Sequence, residues 1–306
     1  MKTEVEQNTS IAKKMFMVFA VLLLGVGGLL LGMYLPHLKD NVQASLLEKK
    51  NAKEEAKFDD LKKMVTPSEG FTLPISWGDL GPKLVKAGVI DEAKFIEVVS
   101  ATEEQKNILT KGSDDEVKIN ADNSQFIVDL LWAIGLAQKS DVYDFGPLGM
   151  EYKDQQGDFS STGGWTLAKG EATKYLNKYD LIPLNSDQQK RVAEIAKNVY
   201  RPCCNNATWF PDCNHGMAAL AAIEMMVSKN MSDEDIYKNI LKLNSFWFPD
   251  NYLSIAIYFD REGVSWDKVD AKKVLGKEYS SATGASNVSK QVGPLPGQSS
   301  GGSCGA

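Results

Sequence analysis

Residues 122–139, DNSQFIVDLLWAIGLAQK, decide the fold class. Asp122-Asn123-Ser124 supplies side-chain oxygens of the kind that cap a helix N-terminus. Phe126, Ile127, Leu130, Leu131, Ile134 and Leu136 then recur at helical spacing. A helix apolar around this much of its circumference belongs inside a globular core. Residues 216–229, GMAALAAIEMMVSK, make a second strongly apolar helix. Around these two, weaker helical signals run through the chain. Residues 80–99 alternate apolar and charged side chains at a helical period, broken near Gly88. Residues 170–178 make a short piece, and Ser186 to Gln189 reads as a capping box for a helix to about Tyr200. Ser232 caps a helix to Leu243, Pro249 opens one to Glu262, and 269–275 is a last short piece. Few runs alternate as strands do. The expected fold is mainly α: one helical globular domain over 65–280, with a long irregular loop at 141–166 rich in Gly, Asp and Ser.

Towards the N-terminus the chemistry changes. Residues 15–36, MFMVFAVLLLGVGGLLLGMYLP, contain no charge. At about 1.5 Å per residue the run reaches the roughly 30 Å of a bilayer core, longer than the 7–15 apolar residues of a signal peptide. The expectation is an uncleaved single transmembrane anchor after a short tail, 1–14. Val42-Gln43-Ala44 has the form of a cleavage site but lies well past the run. Lysines flank both sides, so their count does not set the orientation. Lys13-Lys14 directly against the run has the shape of a signal anchor, with the N-terminus cytoplasmic and the main domain extracytoplasmic. Gly28 and Gly32 are spaced for close packing of two anchors in a homodimer. Residues 37–64, rich in Lys and Glu, read as a charged helical stalk, and 281–306 as a flexible Gly- and Ser-rich tail.

With 34 basic against 40 acidic side chains, the chain lacks the clustered positive charge that nucleic-acid binding needs. Its 43% hydrophobic content excludes a disordered chain, and four cysteines are too few for a disulfide-dense scaffold. There is no Gly-x-Ser-x-Gly elbow and no His-Glu-x-x-His helix, so nothing decides whether the chain is an enzyme.

One segment concentrates reactive side chains. Residues 201–217, RPCCNNATWFPDCNHGM, hold Cys203, Cys204, Cys213 and His215. Thiolate and imidazole together are the ligand types that select zinc or copper. Cys213 and His215 stand at the start of the second apolar helix, where the dipole favours a thiolate. The spacing matches neither a zinc ribbon, nor Cys-x-x-Cys, nor a haem-attachment motif. Two readings stay open. In one, the four side chains form a single copper or zinc site in a membrane-anchored protein of metal delivery or storage. In the other, Cys203 or Cys204 pairs with Cys213, and the chain is a disulfide-stapled envelope scaffold that docks a protein partner without catalysis. Cys304, in the tail, reads as an incidental exposed thiol or as a tethered one able to reach back. Met217, Met225, Met226 and Met231, and the aromatics Trp209, Phe210, Phe246, Trp247 and Phe248, read as core around the cysteine segment.

Overall fold

A computed structural model describes residues 2–296, with side chains described at 15–23, 25, 43 and from 45 onward. The chain divides into two compact units, at 57/58. The first is helical, as part of α1 (Lys2–Val65), and the apolar run 15–36 lies in it. Its side chains from Met15 to Phe19 and from Val21 to Leu23 are exposed. Among the described residues no helix is long and apolar enough to cross a membrane. Most side chains of 24–44, where the expected span continues, lie outside the described set, as does the packing at Gly28 and Gly32.

The second unit is mainly helical, as the periodicity predicts. Its elements in chain order begin with β1 (Phe71–Gly78), α2 (Leu80–Ala87), α3 (Glu92–Val98), α4 (Glu103–Lys111), β2 (Ser113–Ile119) and α5 (Ser124–Ala137). α6 (Asp141–Phe145) and α7 (Pro147–Met150) are single turns. Then come α8 (Ser186–Ala196), α9 (Asn214–Ser228), α10 (Asp233–Trp247), α11 (Pro249–Arg261), α12 (Ala271–Val274), α13 (Lys277–Ser280) and α14 (Ala282–Val292).

The two apolar stretches become α5 and α9, packed against each other at the centre. Gly135 makes the approach close: a Cβ there would lie 2.2 Å from the Met217 carbonyl oxygen. The Tyr143 hydroxyl donates to the Gly135 carbonyl at 2.6 Å beside this contact. Every residue of α9 from Gly216 to Val227 is buried. α8 covers one side of α9, and α10 packs on α5, α9 and α11.

Several boundaries differ from the expectation. β1 and β2 form an antiparallel pair, with Phe71 opposite Ile119 and Leu73 opposite Val117. Leu73, Ile75 and Trp77 are buried on one face of β1, a period of two. Pro74, which has no N–H to donate, sits where the register slips. α8 is capped by Asn185, one residue before Ser186, and Gln188 completes the box. The helix expected at 170–178 is only a 3₁₀ turn, Ala172–Lys174, with Gly170 at φ +93° ahead of it. The core extends into the stalk, because Phe58, Leu61 and Val65 lie on one side of the helix and pack into it. The tail assigned to 281–306 starts as a helix. Ala285 and Val288 of α14 are buried against α11, and Arg261 donates to the carbonyls of Gln291 and Val292 at the end of α14. Cys304 lies outside the described residues.

Candidate metal centre

The cysteine segment is a loop from the end of α8 to the start of α9, and Arg201 ties it together. This guanidinium is fully buried. It donates through Nε to Cys213 Sγ at 3.1 Å, through Nη1 to the Asn206 carbonyl at 3.0 Å, and through Nη2 to Asp212 Oδ1 at 2.7 Å and the Phe210 carbonyl at 3.4 Å. Asn206 Nδ2 donates to the other Asp212 oxygen at 2.7 Å. Gly216 is required here, since a Cβ would come within 2.5 Å of Arg201 Nη2. Two backbone bonds, Thr208 N–H to Val199 and Trp209 N–H to Ala196, hold the middle of the loop to α8 and the residues after it.

The sequence motifs nearby are absorbed by this scaffold. The Ser161 N–H and the Ser160 hydroxyl both donate to the Asp212 carbonyl, so the Ser-Thr-Gly-Gly turn braces the loop from outside. Phe210 stacks on Tyr152 at 5.3 Å and meets Phe159 edge-on. Asn206, a glycosylation acceptor in form, spends its amide on Asp212, and Thr208 is fully buried. Met217, Met225 and Met226 are buried in the core, and Met231 packs against it.

Cys203, Cys204 and Cys213 converge. Their sulfurs all lie within 4.8 Å of one another, and Cys203 Sγ is 3.4 Å from Cys213 Sγ. Cys213 is the N-cap of α9 but makes no side-chain cap bond, so its sulfur is left to the cluster. Hydrogen bonds from Cys203 and Cys204 hold the Cys213 thiol well below its ordinary range against the effect of burial, with Arg201 assisting. Cys203 moves the opposite way, because its hydrogen bonding to Cys204 and Cys213 and its burial favour the protonated form. Burial disfavours the Arg201 cation, but the charges of Cys213, Cys204, Cys203 and Asp212 outweigh it, so Arg201 stays charged.

His215 stands apart from the sulfur group. Its ring packs on Phe248, 4.5 Å between centroids, and edge-on to Trp247 at 5.7 Å. Desolvation pushes its pKa down to about 4, so the ring is neutral near pH 7. Its Nδ1 is buried without a hydrogen-bond partner. Sequence spacing placed four ligands together; the fold gathers the three sulfurs and turns the imidazole into an aromatic pocket. Arg201 is the residue the sequence reading passed over. No protein family, characterised protein or solved structure is found to match this chain.

What the arrangement can do follows from donor chemistry. Sulfurs bonded to one metal at about 2.3 Å stand about 3.8–4.0 Å apart, close to the spacing present here. Three thiolates are a soft set, suited to a thiophilic ion. The charged Arg201 offsets part of their negative charge, and Asp212 fixes Arg201 in turn.

Proposed function

We propose that this chain is a membrane-anchored protein that holds a single soft metal ion, Cu(I), between Cys203, Cys204 and Cys213, for delivery or storage. The observation that carries the reading is the convergence of three sulfurs within 4.8 Å. Zinc completes four ligands in closed structural sites, whereas Cu(I) is content with sulfur alone. With His215 in its aromatic pocket, the donor set favours copper. The partly exposed cysteines lie where an acceptor can take the ion by ligand exchange, which delivery requires. The anchor rests on the charge-free run 15–36, with Lys13-Lys14 placing the N-terminus on the cytoplasmic side.

Reconstitution tests the site. The reduced full chain in detergent should take up one equivalent of Cu(I) and less Zn(II), by elemental mass spectrometry. Cys203→Ser, Cys204→Ser and Cys213→Ser should each remove most of the bound copper, while His215→Ala should leave it. Loss of copper on His215→Ala with retained folding would return the imidazole to the ligand set. A wild type that binds no metal after reduction ends the reading.

A further inference from the structure

The cysteine loop has a property that metal binding alone does not require. Its backbone is held by groups other than the sulfurs: Arg201 reaches the carbonyls of Asn206 and Phe210, Asp212 receives both Arg201 and Asn206, and the Cys204 carbonyl accepts the Ala282 N–H of α14. Thr283 N–H donates to Asn205 Oδ1 beside it. The loop therefore keeps its shape whether the sulfurs are bonded to a metal or to each other. Within it, Cys203 Sγ and Cys213 Sγ stand 3.4 Å apart. A disulfide needs about 2.05 Å, a difference that small side-chain rotations can supply. Cys204 Sγ, within 4.8 Å of both, has the Asn206 carbonyl as a further acceptor at 3.7 Å.

We propose that Cys203 and Cys213 form a reversible dithiol–disulfide couple that gates metal occupancy of the three-cysteine site; this rests on the metal-binding reading above. The co-reactant is a low-molecular-weight disulfide, RSSR. Cys213, whose sulfur accepts the Arg201 N–H, attacks one sulfur of RSSR and expels RS⁻, giving a Cys213–S–S–R mixed disulfide. The Cys203 sulfur then attacks the Cys213 sulfur, its proton passing to the departing RS⁻ to give RSH, and closes the Cys203–Cys213 bond. Two electrons pass from the two protein sulfurs to RSSR, which leaves as one thiolate and one thiol. The metal keeps its oxidation state but loses two of its three ligands, so the remaining Cys204 cannot retain it. Reduction by two thiols reverses each step. Metal binding and oxidation thus compete for the same two sulfurs.

The test uses the full-length chain, reduced in detergent, metal-free or loaded with Cu(I), and exposed to oxidised glutathione. Peptide mapping of the metal-free chain should show a Cys203–Cys213 link, which Cys204→Ser retains. With free Cu(I) tenfold above its Kd, closure of that link should slow roughly tenfold by mass action. The oxidised chain should hand its copper to a bathocuproine chelator and take it up again only after reduction. A metal-free chain that forms no Cys203–Cys213 link under oxidation, or copper retained despite the link, overturns the gate and leaves the metal reading standing. A link that forms in a chain whose reduced state never takes up Cu(I) overturns the gate and the metal reading together.

Discussion

Arg201 has four acceptors around one guanidinium plane, and all of them belong to the segment that carries the cysteines. Removing it would leave the Asp212 side chain with Asn206 as its remaining partner and would open a space beneath Gly216. Arg201→Met should therefore cost about 3–5 kcal/mol, as for one lost partner of a buried pair, read as a fall in the urea midpoint. Glu224 poses the opposite case. It is fully buried on α9, neither carboxyl oxygen has a hydrogen-bond partner, and burial lifts its pKa from the ordinary 4.5 to about 8, offset in part by nearby Ser140. The folded state then binds more protons than the unfolded chain between those values, so stability must fall as pH rises from about 4.5 to 8. Denaturant unfolding at stepped pH should show that decline, and Glu224→Gln should flatten it; an unchanged slope would mean that Glu224 is ionised in the fold. At this scale the sequence was informative about the thiols, because three soft ligands in one loop are rare. Arg201, which ties the loop, drew no reading from the sequence, and His215, two residues from Cys213, was read as a ligand. Which way a ring at a helix start turns depends on Trp247 and Phe248, far along the chain.

The α5–α9 contact was legible because both helices are apolar on nearly every side, a pattern only a central helix tolerates. Its closeness was not, since a lone Gly135 within a helical pattern carries no label for what approaches it. Alanine is worth about 1 kcal/mol over glycine in a helix interior, so propensity alone would make Gly135→Ala stabilising. The Met217 carbonyl, 2.2 Å from the added Cβ, is backbone and cannot rotate away. Overpacking of this kind costs about 1–3 kcal/mol, and the substitution should lower the thermal midpoint by several degrees. A raised midpoint would show that the two helices can part cheaply. The β1–β2 pair and α14 escaped the sequence reading for separate reasons. β2 is SDDEVKI, in which only Val117 and Ile119 are buried, so its alternation is too short to register. α14 has a stripe of Ala285, Val288 and Val292, small side chains set among Ser, Thr and Gly that give it the composition of a linker.

At the scale of the whole chain, the core reaches past the expected boundary between stalk and domain at 64/65. Lys and Glu dominate residues 49–63, so the stretch reads as solvated to its end, yet Leu61 within it is 5% exposed, and Val65 just beyond it 1%. Burying an aliphatic side chain contributes about 1.5–3 kcal/mol, so these two together rival the margin by which many domains are stable. A fragment 58–306 should unfold at the same urea concentration as the full chain, whereas 66–306 should be weaker by a few kcal/mol. Equal midpoints would show that the last turns of α1 lie on the domain without supporting it. The full chain and the fragment 58–306 also test the proposed anchor. If 15–36 spans the bilayer, the full chain should stay with membranes through an alkaline carbonate wash, which strips proteins held by charge alone, and 58–306 should be released. Protease added to sealed spheroplasts should then remove the domain and leave a protected N-terminal piece. A domain protected until lysis would reverse the orientation and place the three cysteines on the cytoplasmic side, where thiols are kept reduced. In that compartment the site would be held in its metal-binding form, and the Cys203–Cys213 couple would respond only to oxidative stress.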